Sequence, residues 1–168
     1  RGALSYSTMD EEGLPESIAM DAEEALKRTD SLYDRFHGKG NLKVYYSLRA
    51  LNSCSSRLVE LEAMRARERG TMLQAHMNEY MGEINDREGM RPYEYLEKMH
   101  VLGSNFLGAH SLILSEQEKS LVMERGVKTC HCPFSNCGKA VPDTPQLLEM
   151  GIPVGLGSDG AAHGGLSL

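Results

Sequence analysis

Short apolar runs alternate along the chain with stretches whose apolar residues recur at helical spacing. Strands are expected at residues 3–6, 42–48, 71–76, 105–110, 127–131 and 153–157. Between the first two, residues 17–36 place Ile18, Ala22, Ala25, Leu26, Leu32 and Tyr33 at helical spacing. Residues 55–69 do the same with Leu58, Leu61 and Met64 on one face. Shorter helices are expected at 92–99, from Ser115 to near Gly126, and at 145–150. Gly38, Gly40, Gly70 and Gly126 stand where helices should stop, because glycine takes the left-handed conformation that closes a helix. Ser115, with Glu118 three residues on, reads as a capping box.

Six strands, each separated by a helix, describe an α/β fold with a parallel sheet and right-handed crossovers. Two architectures meet that description, a doubly wound sheet and a (β/α)8 TIM-like barrel. No G-x-G-x-x-G turn follows the first strand, which weakens the dinucleotide-binding version. A complete barrel takes about 200–250 residues. The chain has 168, so a barrel reading leaves about two βα units outside it. No linker, repeat or low-complexity segment divides the sequence, and residues 1–168 are read as one partial barrel domain.

With 40% apolar and 25% charged residues, the composition is that of an ordinary soluble globular protein. No apolar run reaches the length of a membrane helix and no signal peptide is visible, so a cytoplasmic protein without a membrane partner is expected. The formal charge is −6, and Arg65, Arg67 and Arg69 are interleaved with Glu62 and Glu68. That leaves no basic stripe for nucleic acid. Cysteines occur at 54, 130, 132 and 137, where reduced thiols are the expectation in the absence of a secretion signal. Cys130-His131-Cys132 with Cys137 lacks the two separated C-x-x-C knuckles of a zinc ribbon. Cysteine here reads instead as a small apolar residue at a buried strand end.

Chemistry-bearing residues fall at strand ends. His76 ends the third strand, His110 the fourth, and Asp159 lies just beyond the sixth. In parallel barrels the carboxyl ends of the strands form the active-site mouth, and imidazole with carboxylate suits Zn²⁺ or Fe²⁺. Glu79 follows His76 by three residues, close enough to turn back toward that mouth and move a proton. A strand-end histidine can equally be a structural hydrogen-bonding residue, and Asp before Gly is a common turn pair.

Three segments carry a resemblance. They are Gln74-Ala75-His76-Met77-Asn78-Glu79, then Leu107-Gly108-Ala109-His110 with the helix after Ser115, and then His131-Cys132-Pro133-Phe134-Ser135-Asn136 followed by Gly151 through Gly157-Ser158-Asp159-Gly160. In order and spacing they resemble the aminohydrolase branch of the metal-dependent amidohydrolases, with guanine, cytosine and S-adenosylhomocysteine deaminases and the triazine chlorohydrolases. The likeness is clearest over residues 70–168 and weaker over 1–69.

The resemblance implies strands three to eight of the family's barrel, without its first βα units and small β-sandwich. It implies His76 and Asp159 as ligands of one divalent metal, zinc or alternatively iron, with Asp159 also taking a proton from water. It implies His110 as the residue that orients that water and Glu79 as the acid/base toward a ring nitrogen, with Ser135 and Asn136 as structural supports. Arg49, expected just past the second strand, matches a substrate-contacting position but reads equally as a solvated loop residue, and His163 is a candidate to line the pocket. His37 and His100 read as surface residues at helix ends. The family's first-strand H-x-H pair has no counterpart here. The expected function is hydrolytic deamination of a small nitrogen heterocycle. Dehalogenation on the same scaffold and a non-catalytic remnant are the alternatives, and exposed strand edges would favour a homo-oligomer.

Overall fold

The structure is a computed structural model and describes residues 2–84 and 87–160. It divides into two compact units, Arg1–Ala75 and His76–Leu168, with the boundary inside a strand.

In the first unit, strand β1 (Gly2–Ser5) pairs in parallel with β2 (Leu42–Ala50), Gly2 opposite Leu42 and Ser5 opposite Tyr45. Helix α1 (Ala22–Phe36) lies between them in sequence. It begins later than residue 17 because Asp21 caps it, accepting the Glu24 N–H at 2.8 Å, and Ile18 is left exposed outside the helix. Helix α2 (Ser56–Glu68) is capped by Ser55, whose own N–H and hydroxyl donate to the Asp10 carboxylate. Leu58, Val59, Leu61, Ala63 and Ala66 are buried, whereas Met64 is 45% exposed and does not share the inner face expected of it. Strand β3 (Leu73–Met77) starts in this unit, and the Tyr46 N–H donates to the Met72 carbonyl beside it. Strand β2 runs two residues further than expected, so Arg49 sits on the strand rather than past it.

From the end of β3 the second unit continues through α3 (Pro92–Lys98), β4 (Phe106–His110), α4 (Glu116–Glu124), β5 (Lys128–His131), the single turn α5 (Pro133–Asn136), α6 (Thr144–Glu149) and β6 (Val154–Leu156). Neighbours in sequence are neighbours in the sheet, and β4–β5 and β5–β6 are parallel. The Ser115–Glu118 capping box forms as expected. Glu118 does more than cap. Its fully buried carboxylate also accepts from the Asn78 amide at 3.0 Å, Arg91 Nε at 2.7 Å and the Tyr93 N–H at 3.2 Å. One charge thus joins the loop after β3 to the starts of α3 and α4.

Close packing under β4 needs glycine at 108. A Cβ there would stand 1.9 Å from the Tyr93 hydroxyl, which donates to Ser111 Oγ at 2.7 Å, while Ser111 donates to the Gly108 carbonyl. Among the described residues, no helix is long and apolar enough to cross a membrane.

Two stability predictions follow from the buried carboxyls. Burial pushes Glu62 up to about 8, although Thr29 donates a hydrogen bond to it at 3.2 Å. The folded chain therefore keeps a proton that the unfolded chain releases near 4.5. Its contribution is complete at low pH and is lost as pH rises through about 8. Glu62→Gln should raise the thermal midpoint near pH 8 by about 3 °C or more and change it little near pH 5, in melts followed by circular dichroism. Glu118→Gln leaves the Arg91 guanidinium without its counter-charge and should cost about 2–4 kcal/mol in urea unfolding, with the slope unchanged.

Candidate functional site

The strand ends of the second unit carry the chemistry. The backbone at these ends is left-handed at four non-glycine residues, Asn78 (φ 50°), His110 (70°), Ser111 (49°) and Asp159 (59°). Each such residue costs about 1–2 kcal/mol against the ordinary backbone, so the surroundings must hold it. For Ser111 the holding groups are visible: its N–H donates to the Met77 carbonyl at 2.8 Å and its hydroxyl joins Tyr93 and Gly108. The Leu112 N–H donates to the Asn78 carbonyl at 3.2 Å, which ties the end of β3 to the turn after β4.

His76, His110 and Asp159 come together. Each offers one ligand atom, and these atoms all lie within 4.8 Å of one another. The rings of His76 and His110 stack with centroids 5.3 Å apart and planes 21° from parallel. His110 is buried, and its Nδ1 lies 2.9 Å from the Asn136 amide oxygen. The Asn136 amide nitrogen lies 2.9 Å from His131 Nδ1. An amide oxygen only accepts and an amide nitrogen only donates, so His110 carries its proton on Nδ1 and His131 accepts on Nδ1. That leaves the Nε2 lone pair of His110 turned toward the cluster. Burial lowers the pKa of His110, against the opposing effects of Asn136 and Glu79, and burial likewise lowers His131. Both rings are thereby biased to the neutral form, the form that serves as a ligand or hydrogen-bond acceptor.

Glu79 joins the same group. Its Oε2 faces His110 Nε2 at 3.6 Å, while Oε1 is ion-paired with Lys139, whose Nζ also reaches Ser135 Oγ at 3.3 Å. Its backbone N–H donates to Glu83 Oε2 at 2.9 Å. The Glu79 carboxylate is thus suspended between a cation and an imidazole, with its chain position pinned separately.

Of the expected site residues, His76, Glu79, His110 and Asp159 are brought together in the second unit. Ser135 and Asn136 support them, Asn136 through both of its amide ends. Arg49 belongs to the first unit, exposed on β2, where its N–H donates to the Thr8 carbonyl at 2.9 Å. His163 lies outside the described residues. His100 is exposed at the end of α3, as expected. His37 is more engaged than a surface residue, since it stacks on Tyr33 at 4.1 Å and its Nδ1 accepts the Val44 N–H at 3.1 Å. Lys139 and His131 were not anticipated as members of the site.

The donor set fits a divalent cation of borderline softness. Two imidazoles and a carboxylate converge, one imidazole has its lone-pair nitrogen selected by a buried amide, and no lysine or arginine lies among the three.

Comparison with known proteins gives the same picture. The chain is 31% identical over 167 residues to 5-methylthioadenosine/S-adenosylhomocysteine deaminase 2 of Archaeoglobus fulgidus, covering 96% of this chain and 39% of that protein. The structure superposes on guanine deaminase from C. acetobutylicum with a TM-score of 0.85 at 26% identity, covering 95% of this chain and 40% of the other. It superposes on the zinc complex of atrazine chlorohydrolase from Arthrobacter aurescens with a TM-score of 0.87 at 22% identity, covering 96% and 38%. The fold is therefore a run of βα units from a TIM-like barrel, and the doubly wound reading is set aside. The chain spans about two fifths of the length of the curated relatives it matches. The amidohydrolase family model matches residues 6–167, the four clustered side chains included, and the chain belongs to the amidohydrolase family.

Proposed function

We propose that residues 1–168 form one partial barrel domain that carries part of the active site of a metal-dependent deaminase acting on an amino-substituted nitrogen heterocycle. The observation that carries this reading is the convergence of His76, His110 and Asp159 with Glu79 facing them across His110. A named deaminase as a relative at 31% identity favours deamination over dehalogenation, for which only the shared fold speaks. The substrate class is a small aminopurine, aminopyrimidine or pterin-like ring.

His76 and Asp159 would hold one cation, zinc as the first choice and iron as the alternative. When bound, the cation supplies Lewis acidity that makes water a nucleophile near neutral pH. The Asp159 carboxylate takes a proton from the attacking water. His110 orients that water through Nε2, its tautomer set by Asn136. Glu79, entering the cycle protonated on Oε2, delivers that proton to the ring nitrogen next to the amine-bearing carbon, so that the ring accepts electrons. The proton held by Asp159 leaves with the amine as ammonia, and the added hydroxyl returns its proton to Glu79. Lys139 on Oε1 leaves Oε2 as the oxygen turned to the reaction. Arg49 and His163 remain proposed substrate contacts, through a carbonyl or carboxylate in the case of Arg49. A cytoplasmic homo-oligomer is the proposed setting.

The reading is tested on the purified chain by elemental analysis and by ammonia release. About one zinc per chain is expected, lost in Asp159→Asn. Ammonia release from an aminopurine should fall at least about 100-fold in Glu79→Gln. Chloride release from a chlorotriazine without ammonia from any aminopurine would favour dehalogenation instead.

The Asn136 link gives a separate test. In the metal-free chain the His110 ring should titrate below the ordinary 6.5 by NMR. Asn136→Ala should move it lower still, because the Asn136 hydrogen bond favours the charged ring.

A further inference from the structure

Cys130 and Cys132 take no part in the reaction outlined above, yet their placement is specific. They are two residues apart at the end of β5, so their side chains leave the same side of the strand. Cys132 then departs from extended geometry (φ −111°, ψ 81°) as the chain turns into α5. Both sulfurs lie over Gly157, just beyond β6: a Cβ on Gly157 would meet each of them at 3.0 Å. Sharing that one point, the two sulfurs lie no more than about 6 Å from one another. Cys130 is partly exposed, whereas Cys132 is 5% exposed.

We propose that Cys130 and Cys132 are a redox modification site, a thiol pair that a peroxide closes to a disulfide. Cys130, the accessible member, attacks the peroxide. An S–O bond forms, the O–O bond breaks, and the thiol proton leaves with the first water. Cys132 then attacks the Cys130 sulfur; the S–S bond forms, the S–O bond breaks, and a second water departs. Two thiols are oxidised and one hydrogen peroxide is reduced to two waters.

The site matters because of what is attached to it. The Gly157 N–H donates to the His131 carbonyl at 2.9 Å, between the two cysteines and two residues before Asp159. The Asn136 N–H donates to the Cys132 carbonyl at 2.9 Å, and Asn136 sets the tautomer of His110. Drawing the sulfurs into a bond pulls on both supports of the site at once.

Peptide mapping of the intact 168-residue chain after a small excess of hydrogen peroxide and then alkylation reads this directly. Residues 129–139 form one tryptic peptide that holds Cys130, Cys132 and Cys137, so the chain is mapped both unmutated and as Cys137→Ser. The expected product in both is a peptide lighter by two hydrogens with neither Cys130 nor Cys132 alkylated. It should form at least about tenfold faster than any oxidation of the buried Cys54, and a dithiol reductant should reverse it. In Cys132→Ser, Cys130 should stop at the sulfenic acid, trapped by dimedone. The His110 and His131 ring signals should shift on oxidation and return on reduction. A bridge to Cys137 that is lost in Cys137→Ser, a sulfinic acid on Cys130 with Cys132 still alkylated, or unoxidised thiols would each overturn the proposal. Ring signals that stay fixed while the disulfide forms would overturn its link to the site.

Discussion

A carboxylate taken out of water must be met by donors from every side, and Glu118 is where the second unit meets that demand. Its donors come from the Ser115 and Tyr93 backbones, from Arg91 and from the Asn78 amide. They belong to segments far apart in sequence, so satisfying one charge fixes the spacing of three of them. Asn78 immediately precedes Glu79 and follows His76 by two residues. The exit of β3, where two of the clustered side chains arise, is therefore anchored to the starts of α3 and α4 rather than left as a free loop. An apolar residue at 118 could fill the space, but it could not tell these segments apart.

The anchoring holds one strained strand end directly, Asn78 with φ 50°. His110 and Asp159 both adopt left-handed backbone, which turns their side chains out of the strand alternation and toward a common point. At Ser111 the close approach of Tyr93 over Gly108 provides the counterforce, and any side chain at 108 would remove it. Within the site so formed, Glu79 lies between Lys139 and His110.

Much of this is legible in the sequence. The alternation of strands and helices, the capping box at Ser115 and the strand-end positions of His76, His110 and Asp159 follow from periodicity and capping, both of which act over a few residues. Where the reading strays, a local signal is outvoted. Ile18 continues the helical spacing, yet Asp21 captures the Glu24 N–H and starts α1 later. Met64 matches the stripe of Leu58 and Leu61 but turns outward, while Ala63 and Ala66 pack inward. Arg49 extends β2 because its N–H finds the Thr8 carbonyl, a partner far away in sequence. Lys139 lies in a segment with no periodicity and reaches Glu79 from 60 residues away. A pairing of that kind leaves no trace in the spacing of nearby residues. The short turn α5 was hidden for a related reason, since four residues are too few to display a period.

The Asn136 amide makes two histidines behave as one object. It has a donor end and an acceptor end, and it can be reversed only as a whole. If the half-buried His131 held its proton on Nδ1, the amide would have to flip to accept it. The flipped amide would then present N–H groups to His110, which would have to move its own proton to Nε2. The lone pair would vanish from the cluster, although nothing within the cluster had changed. A protonation error at the rim is thus copied inward, and the correctness of the inner ring can be read from the outer one.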